Sequence, residues 1–89
     1  RGIPTAHAAP VLAPHFAPTD ELPPVWPDPN GKTRGQAFAP LYRSVPFAAT
    51  RDSGLYERLA LVDAIRGGRA RDRKIAGEML QSMLLRAPA

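Results

Sequence analysis

Hydrophobic and polar positions change their rhythm near residue 50. Beyond it, Leu55, Leu59, Leu61, Val62 and Ile65 recur at three- to four-residue spacing, followed by Ile75, Ala76, Met79, Leu80, Met83 and Leu84. At 100° per residue the first set covers an arc of roughly 160°, which predicts an amphipathic helix over about 53–66. The second set predicts another helix over about 69–85, with Arg71, Lys74, Glu78 and Gln81 on its opposite half and Pro88 as its stop. Asp52 and Ser53 are N-cap candidates for the first helix, and Gly67 suits a left-handed C′ position. Asp63 and Arg66 stand at i, i+3, where a pair adds a small surface contribution.

The first half has no such rhythm. Ten of the eleven prolines fall between Pro4 and Pro46, and a proline every few residues interrupts helix and central strand alike. Ile3, Ala9, Ala13 and Ala17 each precede a proline, which pushes them toward extended or polyproline II backbone. Pro29-Asn30-Gly31 reads as a tight turn, and Pro46 suits the start of a short helical turn running through Arg51. The expected fold class is mainly α with long irregular regions. It comprises a proline-rich extended arm over 1–50 and a two-helix hairpin over 51–89, joined at Gly67-Gly68, with no sheet.

Eighty-nine residues allow one domain at most, and a two-helix unit rarely buries enough surface to offset ordering entropy of about 1–2 kcal/mol per residue. With no cysteine, disulfides and thiolate metal sites are excluded. His7 and His15 lie in the arm without a carboxylate nearby in sequence, so no metal or other cofactor is expected. A partner surface is the expected source of order. No apolar run reaches the ~18–20 residues that span a bilayer. Arg1 at the start reads as a processed product. Residues 1–19 lack acids, as transit peptides do, but their prolines deny them an amphipathic helix, so they read as mature chain.

Apolar anchors for such a partner are Phe16, Trp26, Phe38, Tyr42, Met79 and Met83. Trp26, between Val25 and Pro27, offers a rigid aromatic on a pre-extended backbone, and the methionines offer an adaptable surface. The alternative is that these side chains pack on the chain's own helices. The formal net charge of +4 is uneven, +1 over residues 1–50 and +3 over 51–89. Arg66, Arg69, Arg71, Arg73 and Lys74 crowd the hinge and the start of the second helix, where the macrodipole is also positive. No Ser, Thr, Asp or Asn caps that helix start. An anion is one natural offset, either an RNA or DNA phosphate backbone or an acidic protein surface. Arg69 capping the free carbonyls of the first helix is the internal alternative.

Two helices about a glycine turn also suggest a helix-turn-helix, although only Pro46–Arg51 supplies a third helix. Tyr42 beside Arg43 suggests base stacking without a supporting spacing. Gly31-Lys32-Thr33 resembles the end of a phosphate loop but lacks its leading glycine, strand and helix. No catalytic motif or paired carboxylates are present, so an enzyme is not expected. The reading is a non-catalytic accessory subunit that contacts other proteins of a larger assembly, by class analogy a mitochondrial one. A nucleic-acid-binding module is the alternative.

Overall fold

The two long helices form where the periodicity places them. A computed structural model describes residues 1–86, and in it the proline-rich half folds onto those helices. Helix α1 spans Val45–Arg51, α2 spans Ser53–Gly67 and α3 spans Ala70–Arg86. The stop expected at Pro88 lies outside the described residues. Pro46 sits in the first turn of α1, where its missing N–H is no loss. Asp52 caps α2, its Oδ1 accepting the Leu55 N–H at 3.0 Å.

The expectation of a two-helix hairpin without a sheet is overturned. Strands β1 (Gly2–Pro4), β2 (Pro24–Pro27) and β3 (Gln36–Ala37) form one mixed sheet in the order β1-β2-β3. β1 pairs antiparallel with β2, and β2 pairs parallel with β3. Prolines survive in the central strand because of their register. Thr5 N–H donates to Pro24 O and Asp28 N–H to Arg1 O. Alternation in an antiparallel pair then puts Gly2↔Pro27 and Pro4↔Val25 at positions that exchange no bonds. Pro24 needs only to accept. Thr5 O, opposite the N–H that Pro24 lacks, accepts from Ala8 N–H at 3.1 Å instead.

Close backbone approach fixes two glycines in this sheet. A Cβ on Gly2 would lie 2.0 Å from Trp26 O, and one on Gly31 would lie 2.4 Å from the Gly2 backbone. Gly31 and the following Thr33, which bridges to Gly2, therefore serve strand packing in the segment that resembles a phosphate loop.

The core has two parts. Leu12 and Ala6 of the arm pack with Leu61, Ala64 and Ala76, flanked by Phe16, Ile65, Ile75, Met79, Leu80 and Met83. Trp26 packs with Val45 and Ala49 of α1, flanked by Ile3, Tyr56 and Leu59. Arm residues thus enter both parts of the core. The radius of gyration is 12.5 Å, against about 12 Å expected for a compact domain of this length. The arm is a wall of the domain.

Candidate functional site

Trp26 is fully buried, which removes it as a partner anchor. Its ring lies 5.6 Å from that of Tyr56, and its Nε1 donates to Asp63 Oδ2 at 2.7 Å. Thr5 Oγ1 donates to the same oxygen at 2.7 Å, while Arg66 Nε donates to Asp63 Oδ1 at 2.9 Å. The Asp63–Arg66 pair is therefore no surface ornament. Its carboxylate is buried and ties the arm, β2 and α2 together. The Tyr56 hydroxyl donates to Pro4 O, and burial raises its pKa above the ordinary phenol value.

Phe16, Met79 and Met83 pack against the core, half-buried. Phe38 is half-buried too, with the Arg66 guanidinium 4.9 Å from its ring centre. A Cβ on Gly67 would lie 2.7 Å from the Phe38 ring, so that glycine makes room for an aromatic. The left-handed role expected of Gly67 is not taken: it is the last residue of α2, no glycine among the described residues has positive φ, and Gly68 caps the helix at φ −90°. Of the six aromatic and methionine anchors, only Tyr42 stands in solvent, at 71% exposure.

The basic cluster is largely occupied from within. Arg66 pairs with Asp63 and its Nη2 donates to Ala39 O. Arg69 pairs with Glu21 at 3.2 Å across an exposed surface, where such a pair is worth little. Arg73 Nη1 donates to Gly68 O at 3.2 Å, so the α2 C-terminus is served by Arg73 and not by Arg69. Arg71 lies over the Phe16 ring, 5.7 Å from its centre. Asp72 supplies the cap that no residue at the helix start provides, its Oδ2 accepting the Arg69 N–H at 3.2 Å from three positions downstream. Lys74 is exposed and makes no ion pair among the described residues. Internal partners thus account for most of the offset expected from an anion.

A shallow groove of about 260 Å³ crosses this corner, bordered by His7, Glu21, Phe38, Arg69 and Asp72. His7 Nδ1 lies 3.9 Å from Asp72 Oδ2, a carboxylate that sequence distance hid. No group of three or more metal-ligating side chains gathers among the described residues, and no described helix is long and apolar enough to cross a membrane.

Sequence reasoning missed the outward apolar groups that remain. Leu84 is 64% exposed and Leu85 79%, in the last turn of α3. Phe47 on α1 is 60% exposed, with the Arg51 guanidinium 3.7 Å from its ring centre. The signal for Phe47 was its place one residue after Pro46, on the side of α1 away from Val45 and Ala49. No protein family, curated protein or solved structure matches this chain.

Proposed function

We propose that this chain is a non-catalytic accessory subunit, docking on another protein through the large apolar side chains its own fold leaves outside. One observation carries the reading. Trp26, Leu12 and Leu61 are fully buried while Tyr42, Phe47, Leu84 and Leu85 stand in solvent. The exposed set is thus not the residue of a loosely packed chain. Exposed apolar groups mark contact sites where they adjoin one another, as Leu84 and Leu85 do, and tyrosine is enriched at interface centres.

Docking by this route is a rigid-surface contact, and it does not require the arm to order on binding. The phosphate-backbone alternative draws on fewer groups than the sequence suggests, because Arg66, Arg69 and Arg73 already have internal acceptors.

The test is purification of the tagged full chain from its native cells beside two double variants, Tyr42→Ser/Phe47→Ser and Leu84→Ser/Leu85→Ser. A protein recovered in fixed stoichiometry and lost from at least one variant, with helical circular dichroism unchanged, is the expected result. A chain that sediments alone at native concentration sinks the reading.

A further inference from the structure

The outward flank of α3 changes character along its length. Arg73 and Lys74 stand near its start, Gly77 in its middle, and Gln81, Leu84 and Leu85 near its end. At 100° per residue, Arg73, Lys74, Gly77, Gln81 and Leu84 fall within one sector about 100° wide. Its centre lies away from Asp72 and Ala76, the buried positions of the helix.

Three independent features of this flank are left open by the molecule, although Arg73 also donates to Gly68 O. A Cβ added at Gly77 would meet nothing within 4 Å, yet glycine in mid-helix is less stable than alanine. Neither Arg73 nor Lys74 has a carboxylate within ion-pair distance among the described residues. Leu84 and Leu85 are the most exposed leucines of the described residues.

We infer that this flank is the docking face for an acidic amphipathic helix of another protein. The inference rests on the docking reading above and names its surface and partner. Charge complementarity selects the occupant: cations at the start of the flank call for carboxylates opposite them. The leucines at its end call for apolar side chains, and about 15 Å of helix separates Lys74 from Leu84. The partner helix therefore carries its acids and its apolar anchors about three turns apart. Gly77 lies between the two contacts, where a missing side chain lets two helix axes approach closely.

Two other surfaces fit less well. A duplex backbone would gain nothing from Leu84 and Leu85, and an anionic bilayer needs an apolar stripe along the helix, which Gln81 and Gly77 interrupt.

The experiment places a photo-crosslinking phenylalanine derivative at Gln81 and, in a second chain, at Phe47, each in the full protein in its native cells. The expected result is that the Gln81 probe marks one helical segment of another protein with acids about three turns from its apolar residues. Lys74→Glu should reduce that yield at least tenfold, and reversing the facing acid to lysine should restore it. Gly77→Leu should reduce it likewise while circular dichroism shows the helix intact.

Crosslinks from Gln81 to nucleic acid, to lipid, to a second copy of this chain or to a segment without acids overturn the inference. If only the Phe47 probe marks a protein, docking stands and this face is wrong. If neither probe marks a protein, both readings fail.

Discussion

Asp63 gathers three donors on one buried carboxylate, from Thr5, Trp26 and Arg66. Replacing it by alanine strands the buried Thr5 and Trp26 donors, each at about 1–3 kcal/mol, and unpairs the exposed Arg66 guanidinium. Asp63→Ala should therefore destabilise the fold by about 3–5 kcal/mol, much of a small domain's stability. The check is urea unfolding with Trp26 emission, which should already be red-shifted without denaturant. Tyr56 offers a pH-dependent case. Its hydroxyl loses solvent and gains Pro4 O as acceptor, so the folded state holds the proton to higher pH than the unfolded state. Above a pH of about 10 the unfolded chain binds fewer protons, and stability falls as pH rises toward the folded-state value. Tyr56→Phe keeps the ring against Trp26, costs about 1 kcal/mol at neutral pH, and should flatten that alkaline slope in thermal melts. Sequence showed Asp63 only as a neighbour of Arg66. Its decisive donors lie 58 and 37 positions away, beyond any local periodicity.

Helices and strands were unequally readable for a physical reason. α2 and α3 each place several apolar side chains on one side over four turns, and Asp52 supplies a recognisable cap. The strands are two to four residues long, too short for alternation to emerge, and β1 and β2 hold prolines. Their register depends on which residue faces which, so nothing local marks them. The cap of α3 was hidden for a similar reason, because Asp72 reaches backward to the Arg69 N–H. Gly77 gives the clearest element-scale prediction. Alanine there meets no atom and recovers helix propensity, so Gly77→Ala should stabilise the monomer by about 0.5–1 kcal/mol. Thermal denaturation checks it, and unchanged or lowered stability would reveal a neighbour to that face within the chain itself.

The apparent boundary at residue 50 separates two sequence rhythms, yet Leu12 packs with Leu61 and Trp26 with Tyr56 across it. An arm that only borrowed shape from a partner would unfold gradually and independently of the helices. Here the arm supplies Thr5, Leu12 and Trp26 to a core that α2 cannot close alone, and their contacts with α2 span most of the sequence. Losing the arm exposes Leu61 and the Asp63 carboxylate together. Losing α2 leaves the strands as a small sheet without a packed face, which is marginal in water. Neither half is viable alone, so the two should melt as one. Trp26 emission reports the first half and helical circular dichroism reports the second. Their urea transitions should coincide, with a slope of about 1 kcal/mol/M, at the low end for small domains. Deleting residues 1–30 should abolish the helical transition altogether. If Trp26 reddens at a lower urea concentration than the helices melt, the arm is a separable strap and the single-core account fails.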